Sequence, residues 1–345
     1  MVPFRAGRRP AFLVNDPSLA EIVLSSREAE YENPYHQYRE LAGHYSSAGA
    51  FVTSTLPRGA SPRDAAEALA RVLGEETHRA IDEWLARGRV RLEIAAKVLT
   101  FNAATRALFG VSLREQAEAF VRATDLLEEC WIEGGTSPEA EEALRLQTEV
   151  VDAIARAASL TGSRGQVSQK TRTAILRTIL NAYNATGTSL TWTLEVLGRH
   201  GDVREPLRQV VLEVLRLYPP AWNLGRTALA THRLGSALVE KGTLLFVSPY
   251  AMHRHRSLWE EPSEFRPSRF TAPPRHPFAY LPFGGGTRRC PASHVIVRHL
   301  QTMVATVLER ADIRTISPAA APRGLVALRP SSVVILELQS APCAV

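Results

Sequence analysis

A glycine-rich loop carrying one cysteine is the stretch of this sequence with the clearest chemical potential. It runs from Pro282 to Ala292 (PFGGGTRRCPA), and Cys290 stands where the loop meets an apolar pattern of helical spacing. Glycine permits left-handed backbone and close approach, and Pro291 suits the first position of a helix. A helix N-terminus and the neighbouring cations Arg288 and Arg289 both favour a thiolate over a thiol.

A thiolate in this setting has three open interpretations: a nucleophile, a zinc ligand or a haem ligand. The other two cysteines, Cys130 and Cys343, lie far away in sequence, which argues against structural zinc. The loop also lacks the Lys-Ser/Thr pair of a phosphate-binding P-loop. The alternative without chemistry is a chance glycine-rich turn between a strand and a helix.

Composition sets the outer limits. The chain has 345 residues, of which 45% are hydrophobic and 22% charged, as in ordinary globular proteins with a sizeable core. Its net charge of +6 comes mostly from arginine without a long basic run, so we expect no nucleic-acid partner. We expect no membrane span and no signal peptide. Three scattered cysteines favour a reducing compartment, and we expect a cytoplasmic protein.

Apolar periodicity predicts a mostly helical part over residues 15–218 and a mixed part with short strands over 219–345. Helices are predicted over 18–26, 34–42, 61–86, 89–109, 113–131, 138–160, 168–197, 205–217 and 292–310. Extended segments are predicted over 51–54, 227–231, 237–239, 243–247, 324–328 and 333–338, with a linker over 55–60 and the last two strands pairing as a hairpin. His253 and His255 read as a solvated basic turn rather than a metal site.

The middle of the longest helix, residues 180–192, is rich in Asn, Thr, Gly and Ser. These are poor formers of a helix interior. The composition indicates a local distortion or a polar pocket. The alternative is a kinked core helix whose side chains bond back to their own turn.

Several segments together resemble the cytochromes P450. The haem-binding loop of that family is similar to the order Phe283, Gly284, Gly286, Arg288, Cys290, Ala292, although glycine is usual where Ala292 stands. Three further matches follow the family order: Glu213-Val-Leu-Arg216 before Tyr-Pro-Pro, Arg226 soon after the double proline, and Arg269 in Pro-Ser-Arg-Phe.

The resemblance implies roles for these residues. Haem b would be bound with the Cys290 thiolate as axial ligand of the iron, and Arg226 and Arg288 would bind its propionates. Phe283, Gly284, Gly286 and Ala292 would shape the loop. Glu213, Arg216 and Arg269 would form a buried triad that is costly to break. The substrate-facing positions would be Tyr183, Ala221, Trp222, Asn223 and Leu224, with the tip of the closing hairpin at 330–332.

The resemblance also implies a fold and an activity. The fold would be mainly α with small β-sheets, as a single domain over residues 1–345. The activity would be oxidative tailoring of a small molecule by a monooxygenase-like oxidoreductase. The Ala- and Arg-rich composition, and not the resemblance, indicates a setting in bacterial secondary metabolism. A ferredoxin or flavodoxin-type donor would supply electrons, and the positive residues Arg275, Arg289 and Arg298 would suit an acidic donor.

The sequence departs from the family at the oxygen-activating helix. An acid and an alcohol usually stand where this chain has Asn184 and Ala185. Thr186 lies about 100° further round the helix. Asn184 forms hydrogen bonds but is no general acid near neutral pH, so Asn184 and Thr186 are expected to hold water for proton delivery instead.

Two further departures concern length. The layer of helix and sheet usual at the N-terminus is expected to be missing. The helix after residue 54 is expected to be cut out, with Arg58 as a stand-in for its propionate-binding residue.

These departures keep two alternatives open. The first is a haem-thiolate enzyme with non-standard chemistry: peroxide-driven oxidation, group transfer, cyclisation, isomerisation or dehydration. The second is a non-catalytic P450-like protein that assists another enzyme, although such relatives have typically lost the cysteine that Cys290 provides here.

Overall fold

The structure is a computed structural model that describes residues 1–32, 62–135, 137–162, 165–201 and 203–341. These residues form two compact units. The first joins the N-terminal segment to Arg208–His294, and the second joins the helices before residue 208 to the chain from Val295 onward. The elements expected at 34–42, 51–54 and 55–60, with Arg58, lie outside the described residues.

The helices and strands follow the sequence pattern closely in most places. The α-helices are α1 (Pro17–Glu21), α2 (Pro62–Arg87), α3 (Leu92–Phe109), α4 (Arg114–Glu133), α5 (Pro138–Ala157), α6 (Gln169–Arg199), α7 (Leu207–Leu217), α8 (Pro249–Met252) and α9 (Ser293–Arg310). The strands are β1 (Val2–Ala6), β2 (Arg9–Val14), β3 (Tyr31–Glu32), β4 (Arg89–Arg91), β5 (Leu224–Ala228), β6 (His232–Leu234), β7 (Ala237–Val239), β8 (Leu244–Val247), β9 (Ala311–Thr315), β10 (Pro322–Gly324), β11 (Leu328–Pro330) and β12 (Ile335–Ser340).

The first unit is organised by a five-stranded sheet of order β1-β2-β8-β5-β3. β2 and β8 are parallel, and the other neighbours are antiparallel. The side chain of Asp16 accepts a hydrogen bond from the Leu19 amide at 3.0 Å and thereby caps the N-terminus of α1. A π-helical turn over Ile22–Ser26 follows α1. The sheet and these turns bury a core that includes Val23, Leu24 and Leu245.

The second unit is a helical assembly in which α3 lies along α6. Gly187 of α6 makes this close approach possible, because a Cβ there would lie 2.8 Å from Thr100 Oγ1 and 2.9 Å from Lys97 Cα. The aromatic rings of Phe101, Phe120 and Tyr183 pack against one another in the core of this unit. The backbone of α6 is therefore fixed tightly against α3.

The polar residues in the middle of α6 do not interrupt it, since the helix is continuous from Gln169 to Arg199. Ser189, Thr191 and Thr193 each donate to the carbonyl four residues earlier, at 2.8, 2.9 and 2.7 Å. This is the back-bonding alternative for such residues. Asn184 does not follow it, because its side chain reaches a different helix. The polar pocket and the back-bonded core helix are therefore both present.

Three of the sequence expectations about strands are wrong. The N-terminal segment does contain a sheet, since β1 and β2 pair along their whole length. Four of the five β1 residues are exposed, so β1 lacks the alternation of apolar and polar residues that would predict a strand. Residues 89–91 form a strand rather than a helix start, because Val90 pairs opposite Leu336. The last strand, β12, pairs with β4 and β9 and not with its expected hairpin partner.

The turn of the closing hairpin also lies at a different position from the one expected. β10 pairs with β11, so the turn lies at 325–327 rather than at 330–332. Among the described helices, none combines the length and apolar content needed to cross a membrane.

Candidate functional site

The loop before Cys290 is held in a defined turn by backbone hydrogen bonds. The Cys290 amide donates to the Phe283 carbonyl at 2.9 Å. Gly284 and Gly286 have φ values of +72° and +69°, a region that disfavours any side chain. α9 begins at Ser293, so Pro291 precedes the helix instead of occupying its first position as the sequence predicted. Cys290 therefore sits just outside the helix N-terminus.

The loop is packed directly on the π-helical turn. A Cβ on Gly286 would lie 1.6 Å from the Leu24 carbonyl oxygen, so only glycine fits this position. Ala292 and Arg288 are exposed, whereas Phe283 is half-buried. The loop residues predicted from the sequence therefore lie together around Cys290, and Gly286 packs against Leu24 of the π-helical turn.

The electrostatics at Cys290 correct one expectation. Burial raises the pKa of the Cys290 thiol, and the Ala292 amide and Arg289 lower it by less. The free side chain therefore favours the thiol, contrary to the argument from the dipole and cations. A bound metal ion reverses this balance, since a coordinating thiol is deprotonated outright. In the described part of the chain, no three His, Cys, Asp or Glu side chains group in a way that would hold a metal ion.

Two arginines of the same unit form a cationic pair near this loop. Arg226 on β5 is 7% exposed, and its Nη1 donates only to the neighbouring Gly225 carbonyl at 2.8 Å. Burial and the charge of Arg288 lower the pKa of Arg226 to about 10. Its buried Nε has no hydrogen-bond partner among the described residues. Arg288 is partly neutralised by Glu28, at 3.0 Å.

This arrangement fits haem. A buried guanidinium with an unpaired donor and a second cation beside it is suited to carboxylates, which guanidinium binds with two parallel hydrogen bonds. Haem carries two such carboxylates and an iron that takes a thiolate. Cys290, Arg226 and Arg288 supply these ligand types within one compact unit.

A buried ion-pair network lies behind the loop. Arg216 and Glu213 are both fully buried and are joined by two hydrogen bonds of 2.7 and 2.8 Å. Arg269 reaches Glu213 at 3.2 Å. The remaining Arg216 donors bind the carbonyls of His253, Pro262 and Glu264. The structure thus brings the three triad residues together, and all five guanidinium donors of Arg216 are used.

His253 joins this network to the cysteine loop, which the sequence did not reveal. Its Nδ1 donates to the Arg216 carbonyl at 3.0 Å, and its Nε2 accepts from the Leu281 amide at 2.8 Å. Burial lowers the pKa of His253 to about 3, so the ring is neutral. The expectation of a solvated basic turn is wrong for this residue, which is 0% exposed.

The second unit contains an acidic side chain that sequence reasoning missed. Asn184 is buried and donates through Nδ2 to Glu128 Oε1 on α4, at 2.7 Å. Arg329 of β11 lies 3.3 Å from the other oxygen of Glu128. Asp125 Oδ1 binds Lys97 and Arg329, each at 2.6 Å. No sequence motif points to these four charges, because they come from α3, α4 and β11.

The predicted substrate positions fall into two groups. Tyr183 is fully buried among the core aromatics of the second unit, so it packs the core rather than facing an open cavity. Thr186 is buried as well. The segment Ala221–Leu224 of the first unit is half-buried, and Ser248 and Tyr250 bind the Trp222 carbonyl.

Comparison with known proteins agrees with this geometry. The sequence profile of the family "Cytochrome P450" matches residues 204–325, which include the triad, Arg226 and the whole Cys290 loop. Over these residues the chain is similar to the cytochrome P450 family. Members of this family hold haem through a cysteine thiolate as axial ligand.

The curated proteins that this chain resembles are distant relatives. Cytochrome P450 3A12 of Canis lupus familiaris is 28% identical over 192 residues, which is 47% of this chain and 38% of the relative. Cytochrome P450 734A5 of Oryza sativa subsp. japonica is 34% identical over 174 residues, which is 41% of this chain and 32% of the relative. The chain thus spans about a third of the length of the curated relatives that it matches.

The fold extends over more of the chain than the sequence match. The crystal structure of the cytochrome P450DA heme domain superimposes with a TM-score of 0.78, at 19% sequence identity, covering 99% of this chain and 90% of that one. The mainly helical P450 fold expected from the sequence is therefore confirmed.

Proposed function

We propose that this protein is a haem-thiolate oxidoreductase that carries out oxidative tailoring of a small molecule. The observation that carries the proposal is the pairing of the Cys290 loop with the buried, incompletely paired guanidinium of Arg226. Cys290 would bind the haem b iron, and Arg226 and Arg288 would bind the propionates. Haem bound in this way supplies the activation of dioxygen, because the thiolate pushes electron density onto the iron.

The chain's own residues would hold this site in place. Glu213, Arg216 and Arg269 fix the segments before the loop, and His253 ties that network to Leu281 at the loop's start. A buried ion pair of this kind is costly to break because the remaining charge is left uncompensated. The role of the triad is therefore to hold the cysteine at a fixed position.

A second candidate follows from the long helix. Asn184 and Ala185 stand where the family usually has an acid and an alcohol, and an amide does not ionise near neutral pH. This favours peroxide-driven oxidation or redox-neutral chemistry such as group transfer, cyclisation, isomerisation or dehydration. The alternative of a non-catalytic partner protein is disfavoured by the intact cysteine loop.

Partners and setting belong to the same proposal. A ferredoxin or flavodoxin-type donor would use the exposed cations of the first unit, Arg275 and Arg289. Bacterial secondary metabolism in the cytoplasm is proposed from the composition of the sequence. Asn184 and Thr186 are proposed as catalytic residues that hold water, and Ala221–Leu224 as substrate-binding residues.

Expression with 5-aminolevulinate and a carbon monoxide difference spectrum test the cofactor. We expect a thiolate-type spectrum for the protein, its loss in Cys290→Ser, and weaker haem retention in Arg226→Gln. Arg233→Gln, an exposed arginine of the same unit, is the control and should retain haem. A colourless wild-type protein would reject the proposal.

Turnover with a reduced ferredoxin, with hydrogen peroxide, or with neither then separates the two candidates. Ferredoxin-dependent product would support the first candidate. Product formed only with peroxide, or without any oxidant, would support the second.

A further inference from the structure

The surroundings of Asn184 contain a carboxyl that nothing in the family pattern provides. Glu128 is 8% exposed and projects from α4, not from the long helix. It receives the Asn184 amide on Oε1 at 2.7 Å. The acid missing from α6 is thus replaced, one hydrogen bond away, by an acid on a neighbouring helix.

Four buried polar atoms around this contact have no hydrogen-bond partner among the described residues. They are Glu128 Oε2, Asn184 Oδ1, and Nε and Nη2 of Arg329. The 3.3 Å approach of Arg329 to Glu128 is an ion-pair distance without hydrogen-bond geometry. Buried polar atoms are almost always satisfied, by protein or by ordered water. Two acceptors and two donors in one place indicate a site for water molecules.

A charged cavity leads from this cluster toward solvent. It has a volume of about 350 Å³ and is lined by Lys97, Asp125 and Arg329, the same residues that surround Glu128. The exposed Ser331 and Ser332 also line it. Solvent therefore approaches the Asp125–Arg329 pair, and Arg329 in turn contacts Glu128.

We propose that Glu128 is the proton donor for chemistry at Asn184, and that it is reprotonated from solvent through this cavity. The inference rests on the proposed function. In the forward step the Glu128 hydroxyl gives its proton to a water held by Asn184 Oδ1, and that water passes a proton to a ligand bound beside Asn184. The carboxylate that remains is reprotonated from solvent by way of water between Glu128 and the cavity, whose lining includes Arg329 but not Glu128, so no other reactant is consumed.

The charges that face Glu128 suit both of its states. Arg329 from β11, Lys97 from α3 and Asp125 from α4 surround it, and the amide of Asn184 approaches from α6. Burial raises the pKa of Glu128 most strongly, while Arg329, Lys97 and the Asn184 amide lower it and Asp125 raises it. The net direction is upward, so the carboxyl ionises closer to neutral pH than an exposed glutamate, as a proton donor needs.

Infrared spectroscopy tests the ionisation without any substrate. The holoprotein is expected to show the carbonyl band of a buried carboxylic acid that disappears as the pH is raised, and Glu128→Gln is expected to lack it. Glu118→Gln, a half-exposed glutamate on the same helix paired with Arg122, should keep the band. Absence of the band from the wild type, or its persistence in Glu128→Gln, would overturn the proposal.

A separate substitution tests whether protons reach Glu128 from solvent through the cavity. Ser332→Trp fills the mouth of the cavity, and we expect deuterium exchange into the Glu128 band to slow by about tenfold or more. Ser236→Trp, at an exposed position of the other unit, should leave the exchange rate unchanged. Equal exchange in both variants would refute the cavity as the proton route.

Oxygen uptake by the holoprotein with a reduced ferredoxin tests the catalytic role. Glu128→Gln should slow uptake by about a hundredfold or more, the lower end of what loss of a general acid costs, and raise its solvent deuterium isotope effect. Unchanged uptake would overturn the role of Glu128. If the wild type itself takes up no oxygen, the dioxygen-dependent candidate for the function fails, whereas the infrared result still decides whether Glu128 carries a proton.

Discussion

Substituting the two left-handed glycines of the cysteine loop separates backbone strain from steric overlap. Gly284 and Gly286 have nearly the same φ, +72° and +69°. A Cβ on Gly284 meets nothing closer than 3.9 Å, whereas a Cβ on Gly286 would lie 1.6 Å from the Leu24 carbonyl oxygen. Gly284→Ala is therefore a matched control for Gly286→Ala.

The expected magnitudes follow from these distances. Both variants carry a Cβ in the left-handed region, which costs about 1–2 kcal/mol. Only Gly286→Ala must also push the Leu24 backbone away, by about 1.4 Å to restore a 3.0 Å contact. Overpacking of this kind adds about 1–3 kcal/mol. We expect Gly284→Ala to lose about 1 kcal/mol of unfolding free energy and Gly286→Ala about 3 kcal/mol.

Urea denaturation followed by circular dichroism measures this difference. Limited trypsin digestion at Arg288 and Arg289 detects the same effect when the loop opens locally instead of the protein unfolding. We expect faster cleavage only in Gly286→Ala. Equal losses and equal cleavage in both variants would refute the argument, since the loop would then tolerate the overlap by moving freely away from Leu24.

Three further predictions concern buried charge. Arg216→Lys retains the charge but supplies only three donors in place of five, so we expect urea denaturation to show a loss of about 1–3 kcal/mol for each buried acceptor left unpaired. The folded pKa of His253, about 3, lies below its ordinary value of about 6.5, so the unfolded state binds the proton first. The neutral His253 therefore stabilises the fold fully above pH 6.5, and this contribution, about 4–5 kcal/mol in all, is lost as the pH falls toward 3. In His253→Gln we expect the unfolding free energy to decrease less between pH 6.5 and 3. Asn184→Asp places a second carboxyl 2.7 Å from Glu128, so we expect lower stability above neutral pH and its recovery in the double variant Asn184→Asp with Glu128→Gln.

Each of these predictions has a control. Arg208→Lys changes an exposed arginine on the same helix as Arg216 and should be neutral; a comparable loss there would contradict the network argument. His78→Gln changes an exposed histidine and should leave this decrease in unfolding free energy at acid pH unchanged. For the carboxyl pair, the stability of the double variant decides: if it stays as low as Asn184→Asp alone at high pH, repulsion between the two carboxyls is not the cause.

Features that are local along the chain could be predicted from the sequence. The order of glycines around Cys290, the Glu-x-x-Arg turn at Glu213 and the arginine after the double proline are all defined by short spacing, and they carry the resemblance to the cytochromes P450. Helix periodicity located α4 to α7 within a few residues. These features need no knowledge of which distant segments meet.

The environment of a buried residue depends on packing between distant segments, which a sequence pattern does not reveal. His253 lies in a run of basic residues, yet it is buried between Arg216 and Leu281, because its environment is set by segments distant in sequence. The pairing of β12 with β4 and β9 depends on long-range register in the same way. The contact between Asn184 and Glu128 is the clearest case: the two residues are 56 positions apart in sequence, and they meet because their helices, α6 and α4, both pack against α3.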